Sequence, residues 1–211
     1  MAGIFLVVEG PEGAGKTTLA RGLARRLRSL GIDPVEVREP GGTPVAEAAR
    51  QVVLDPELET GPVSELFLIL AARADLVARI IQPALDAGRV VVSDRYDLST
   101  EAYQIAGRGL DRDKVLQANA IATGGLEPDL MLVLDLPVHV GRARQGRQGK
   151  EPDRLERAEE AMHERVTDFF AGLTGAGVVH LDATREREIV EEAAWAEVIA
   201  RFGETIGAHA G

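Results

Sequence analysis

The sequence contains no cysteine in its 211 residues. That excludes disulfide bridges and any cysteine-ligated metal site, and it fits a reducing cytosol. No apolar stretch approaches the ~18 residues that a membrane span requires. The N-terminal apolar run, residues 4–8, has the length of a strand, with no basic segment before it and no cleavage pattern, so it reads as structure and not as an export signal. Basic residues are in deficit, 24 Lys and Arg against 34 Asp and Glu, for a net charge of −10. A chain of that sign is poorly suited to broad binding of nucleic acid or an anionic membrane. His139, His163, His180 and His209 show no metal-ligand spacing and read as ordinary surface or core residues. Internal repeats, low-complexity tracts and linkers are also missing. The expectation is a cytoplasmic protein with a single domain over residues 1–211.

What is present is an alternation of apolar runs and amphipathic stretches. The composition, 45% hydrophobic and 27% charged, is that of a globular protein. Strands are expected at residues 4–8, 34–37, 89–93, 130–134 and 178–181. Helices are expected at 16–30, 44–54, 63–87, 153–172 (in large part) and 185–202. Two more are expected around the break Gly107-Arg108-Gly109, and another begins at Pro137. The five apolar strands separated by helices predict an α/β fold, a five-stranded parallel sheet covered by helices on both faces. Arg21, Arg25, Arg26 and Arg28 lie off the leucine stripe of the first helix and read as a solvated face. The Gly-Ala-His-Ala-Gly tail, residues 207–211, reads as frayed.

Residues 10–17 carry the chemistry: Gly10, Pro11, Glu12, Gly13, Ala14, Gly15, Lys16 and Thr17, with Thr18 following. This is a glycine-rich loop ending in Lys-Thr between a strand and a helix, the pattern that cradles the phosphates of ATP. Backbone N–H groups turn onto the anion, Lys16 adds a point charge, and Thr17 offers a hydroxyl to Mg²⁺. A second group is Ser93-Asp94-Arg95-Tyr96, at the carboxyl end of a strand where α/β sheets hold ligands. There Asp94 can hold Mg²⁺ through water, and Arg95 can take a phosphate bidentately. A third is residues 142–157, with six basic residues in sixteen positions around Gly146 and Gly149. It reads as a mobile lid that closes over a triphosphate, with Arg144, Arg147 and Arg154 the candidates to stabilise the transferring group. The plainer reading of this segment is a flexible solvated loop.

Together these residues resemble the thymidylate kinases, which phosphorylate dTMP with ATP. The resemblance runs through E-G-P-E-G-A-G-K-T-T at 9–18, R-E-P-G-G-T at 38–43, A-A-R at 71–73, S-D-R-Y at 93–96, A-Y-Q at 102–104, G-R-G-L at 107–110, P-D-L…L-D-L-P at 128–137 and D-R-L-E at 153–156. It implies the P-loop nucleoside monophosphate kinase fold. It is closest in kind to the subgroup with catalytic arginines in the lid, since the P-loop carries Glu12 and no arginine. The resemblance implies that Glu12 contacts the nucleotide 3′-hydroxyl, that Arg50 and Arg95 bind the dTMP phosphate, and that Arg73, Thr100 and Gln104 contact the base. Tyr103 would close the space of a ribose 2′-hydroxyl, and Arg38 is a more distant candidate. Ile69 departs from the pattern: the family usually has phenylalanine here, stacked on thymine. Ile105-Ala106 departs as well, where the family often has glycine followed by an aromatic. The family also implies a homodimer, built here through the apolar helix at 63–87. Two other functions share these residues: kinase for another (deoxy)nucleoside monophosphate, suggested by Ile69, and a non-catalytic nucleotide-binding regulator, which would not need Lys16, Asp94, Arg95 and the lid charges together.

Overall fold

In a computed structural model, residues 3–147 and 153–209 are described, without the side chains of Arg147 and His209. Five parallel strands form the sheet: β1 (Ile4–Glu9), β2 (Val35–Arg38), β3 (Val90–Asp94), β4 (Leu130–Asp135) and β5 (Val178–Asp182), in the spatial order β2-β3-β1-β4-β5. Central β1 pairs with β3 on one side, Ile4 opposite Val90, and with β4 on the other, Leu6 opposite Leu130. The chain therefore switches sides about β1, and the crevice at its carboxyl end is where such sheets place ligands.

Side-chain alternation explains the two layers. Ile4, Leu6 and Val8 of β1 join Val90, Val92, Leu130 and Leu132 against α1 (Lys16–Ser29) and α9 (Arg187–His209). Phe5 and Val7 face the other way with Val91, onto the end of the long helix that follows α2 (Pro44–Leu54). That long helix is α3 (Pro62–Leu76), a π-wound turn at Val77–Ile81, and α4 (Gln82–Asp86). Pro83 gives the reason for the widened turn: its ring would clash with the carbonyl four residues earlier in regular α-helix. Helix α5 (Asp97–Thr100) continues into a second π-wound segment, Glu101–Gly107, and α6 (Arg112–Thr123) follows. After β4 come α7 (Val138–Arg147) and α8 (Glu160–Ala171).

Most expected elements are found within a residue or two. Three differ. Residues 154–158 form turns ahead of α8, because Asp153 and Glu156 bond each other's backbone and close the chain there. The last helix does not stop at 202 but runs to His209, into the tail 207–211 expected to fray; Ile206, 2% exposed, anchors it in the core. The edge strands β2 and β5 are only half-buried, whereas every residue of β1 is buried.

Candidate active site

The P-loop joins β1 to α1. Gly13 has φ 74°, and a Cβ there would lie 2.5 Å from the Gly141 carbonyl oxygen of α7. A Cβ on Gly141 would in turn strike the Glu12 carbonyl. Loop and α7 thus meet backbone to backbone, a contact open only to glycine on both sides. Lys16 is buried, and its Nζ donates to the Pro11 carbonyl at 2.6 Å. Burial pushes its ammonium down to about 8, helped by Arg95 and opposed by Glu12. The Thr17 hydroxyl donates to Asp94 Oδ2. A hydroxyl in the first turn of α1 and a carboxylate at the end of β3 are hard oxygen donors of the kind Mg²⁺ takes together with substrate phosphates. Among the described residues no group of three or more His, Asp or Glu forms a metal cluster.

One open cleft of about 740 Å³ is lined by Glu12, Gly13, Gly15, Lys16, Thr17 and Thr18 at the P-loop and by Arg38, Arg50, Ile69, Arg73, Arg95, Thr100, Tyr103 and Gln104 from the other elements. Asp94 lines it too. Gly10, Pro11 and Ala14 belong to the loop but do not line the cleft.

Arg95 organises the middle of the cleft. It is a non-glycine residue at φ 74°, a conformation that costs an ordinary side chain roughly 1–2 kcal/mol. Its N–H donates to the Val8 carbonyl, and its guanidinium donates to Glu12 at 2.6 Å and to Ser99 Oγ at 3.0 Å. Tyr103 donates its hydroxyl to the same Glu12 oxygen at 2.9 Å. Burial alone would raise the Glu12 carboxyl; Arg95, Lys16 and the Tyr103 hydroxyl outweigh it and hold the group down at about 2. Arg38 pairs with Glu47 at 3.0 Å, and Arg50 donates to the Pro40 carbonyl at 2.8 Å. Burial, then Arg38, depress the Arg50 guanidinium, and Arg95 acts in the same direction. A guanidinium depressed by neighbouring cations in a cleft favours an anion beside it.

The other wall is built on a buried arginine. Arg73, 1% exposed, bonds Glu39 at 2.7 Å, Thr100 Oγ1 at 2.7 Å, Asn119 Oδ1 at 2.6 Å and the Tyr96 carbonyl at 2.9 Å. A base that takes a bond from Arg73 must share it with these partners. Ile69 stands one turn before Arg73 on α3 and faces the cleft with it, whereas Phe67 is 62% exposed on another face. Thr100, Tyr103 and Gln104 fall on one face by their spacing of three and four.

The arginines expected in a lid lie in two places. Arg144 donates to the Ala183 carbonyl at 2.8 Å and approaches the Gly13 carbonyl at 3.5 Å, beside the P-loop. Arg154 donates from Nε to the Val53 carbonyl at 2.8 Å, and its Nη2 lies 2.7 Å from Glu65 Oε2, an ion-pair contact without hydrogen-bond angles. It is thus turned toward α2 and α3. Arg147 ends α7, but its side chain lies outside the described residues, as does 148–152 within the lid segment.

Three charged residues in or behind the cleft were given no site role in the sequence. Arg21 lines the cleft mouth, while its neighbours Arg25 and Arg26 pair with Glu191 and Arg28 pairs with Asp33 and Glu36. Glu9 is fully buried, accepting from the Tyr96 and Ser99 backbone N–H groups and from Ser99 Oγ. Burial raises its carboxyl to about 7, only partly offset by Arg95. Glu65 is 0% exposed and receives Gln104, Arg108 and Arg154. Its place on the buried face was legible, a carboxylate four and eight residues before Ile69 and Arg73 inside an apolar helix, but its partners were not.

Comparison with known proteins agrees with this geometry. The family model described as thymidylate kinase matches residues 8–194. The thymidylate kinase of Deinococcus radiodurans is 46% identical over 202 residues, covering 94% of this chain and 98% of that protein. That of Pseudomonas fluorescens strain SBW25 is 49% identical over 171 residues, 81% of each chain. That of Thermosynechococcus vestitus is 47% identical over 187 residues, 83% of this chain and 77% of the relative. A P-loop at the switch point of a five-stranded parallel sheet, a cation-lined cleft beside it, and a family match over most of the length place this chain in the thymidylate kinase family.

Proposed function

We propose that the chain transfers the γ-phosphoryl group of ATP to dTMP, giving dTDP and ADP, as one P-loop kinase domain in the cytoplasm. The observation that carries this reading is the convergence of Arg38, Arg50 and Arg95 with the P-loop on one cleft. Two polyanions need to be brought together there. The acceptor is a phosphate monoester with a second pKa of about 6, so its oxygen is largely deprotonated at neutral pH and no strong general base is required. Catalysis then falls to positioning and charge.

In this reading the N–H groups of residues 10–18 and Lys16 hold the ATP phosphates. Thr17 and Asp94 hold Mg²⁺, which when bound neutralises charge on the transferring group. Arg95 and Arg50 hold the acceptor phosphate, with Arg38 behind them, and Glu12 takes the 3′-hydroxyl. Tyr103, seated on Glu12, fills the place of a 2′-hydroxyl. Ile69, Arg73, Thr100 and Gln104 form the base wall. Residues 142–157 act as the lid, with Arg144, Arg147 and Arg154 as its cations. The placement of Arg144 beside Gly13 supports the lid reading, and Arg154 has to leave Glu65 if it is to reach the phosphates. ADP release from ATP and Mg²⁺ on addition of dTMP tests the activity; no release from folded protein contradicts it.

We also infer a homodimer. Leu66 and Leu70 of α3 are buried against α6, leaving Phe67 62% exposed on α3 and Ile121 83% exposed on α6. Two large apolar side chains in water on neighbouring helices favour a partner surface. Light scattering that returns the mass of one chain at micromolar concentration would overturn it.

A further inference from the structure

Gln104 is fully buried and lines the cleft, and its two amide atoms have different fates. Nε2 donates to Glu65 Oε1 at 2.9 Å, whereas Oε1 has no partner among the described residues. The orientation of a glutamine amide is decided by what surrounds it. Here the neighbour is a carboxylate with no accessible surface, which also receives Arg108 through Nε at 3.1 Å and Nη2 at 2.9 Å, with Arg154 at 2.7 Å. Burial would favour the protonated acid, but the bonds from Arg108 outweigh it and hold the carboxyl below its ordinary value. An ionised carboxylate only accepts. It therefore takes the NH₂ end of Gln104 and leaves the carbonyl end buried and without a partner among the described residues, an acceptor kept for a group that enters from the cleft.

We propose that Glu65 is a specificity-determining positioning residue: by fixing the Gln104 amide it presents a hydrogen-bond acceptor to the nucleotide base. The inference rests on reading the cleft as the dTMP site. Thymine carries an N–H at ring position N3, between two carbonyls. Cytosine carries an unprotonated nitrogen there. An acceptor locked in place pairs with the first and faces the lone pair of the second, and it cannot turn over because its NH₂ is held by Glu65. Discrimination of this kind is large where a buried polar group would be left unpaired. Glu65 itself touches no substrate; it acts through Gln104.

The test compares kcat/KM for dTMP and dCMP in the wild-type protein, Glu65→Gln, Gln104→Leu and the double variant, each with a melting curve. In Glu65→Gln the neighbour can donate or accept, so the Gln104 amide can turn. The dTMP-to-dCMP ratio is expected to narrow by about tenfold or more in each single variant. In the double variant it should be no narrower than in Gln104→Leu alone, because Glu65 acts only through that amide. A general structural effect would lower both substrates together and leave the ratio. A wild-type ratio preserved in folded Glu65→Gln, or further narrowing in the double variant, overturns the inference. Should Glu65→Gln not fold, the wild-type protein decides: the Gln104 side-chain amide protons are expected to be protected from exchange both free and with dTMP bound, and fast exchange in the bound state overturns the inference. A folded wild-type protein that turns over neither nucleotide overturns the underlying reading of the site, whereas a dTMP-active enzyme whose preference ignores Glu65 overturns this inference alone.

Discussion

Arg95 donates to Glu12 at 2.6 Å across the centre of the cleft, from a backbone held at φ 74°. The pair is preformed and partly exposed, 15% and 23% for the two side chains, so a ligand can part it. In the proposed complex the acceptor phosphate takes Arg95 and the sugar takes Glu12. Glu12→Ala should then remove the preference for dTMP over its 3′-deoxy analogue. The loss should be about tenfold, the worth of one hydrogen bond to a charged group. A preference that persists in the variant would place the 3′-hydroxyl elsewhere.

Lys16→Ala removes the buried ammonium at the end of the P-loop. Turnover should fall by more than about tenfold, since oriented charge is the main catalytic device left to a phosphotransferase. Circular dichroism should show the fold intact. Near-normal turnover in a folded variant means that this loop is not the ATP site.

Glu9 makes the free protein sensitive to pH. Its folded carboxyl, raised to about 7, binds a proton that the unfolded chain has already released above about 4.3. Its contribution to stability is therefore fully present below pH 4 and is lost as pH rises through 7. Arg95, Asp97 and Lys16 are the charges around it. Glu9→Gln keeps one oxygen to accept from the Tyr96 and Ser99 N–H groups, turns an NH₂ to the Ser99 hydroxyl, and has no carboxyl proton to lose. Denaturant titrations from pH 5 to 8 should show a decline in the wild type that is flatter in the variant. Equal slopes would show that Glu9 does not titrate there.

Ile69→Phe tests the missing aromatic platform. Ile69 lines the cleft one turn from Arg73, so a ring at this position has open space before it. Base stacking of ~1–3 kcal/mol would tighten dTMP binding by roughly tenfold or somewhat more. Overpacking can cost about 1–3 kcal/mol and would show in the melting curve. Unchanged affinity in an unstrained variant would mean that position 69 does not face the base.

The strands, the P-loop and many of the residues that line the cleft were readable because each rests on local rules. Buried parallel strands are apolar throughout, the loop has its glycines and Lys16 at fixed spacing, and Ile69 and Arg73 share a helix face. What escaped were charges whose meaning is tertiary. Nothing local distinguishes Arg21, which lines the cleft, from Arg25, which pairs with Glu191 far along the chain. Nothing local tells that Glu65 will hold residues 104, 108 and 154. The π-wound segments were equally hidden, although Pro83 inside a long helical pattern marked the place of the first.

The most direct test of the central claim is ADP release from ATP and Mg²⁺ with dTMP, dCMP, UMP, dGMP and dAMP under matched conditions. The account predicts a kcat/KM for dTMP above each of the others by about tenfold or more, at least ~1.4 kcal/mol of discrimination. A higher kcat/KM for any other acceptor, or no ADP release with any of them, would contradict it.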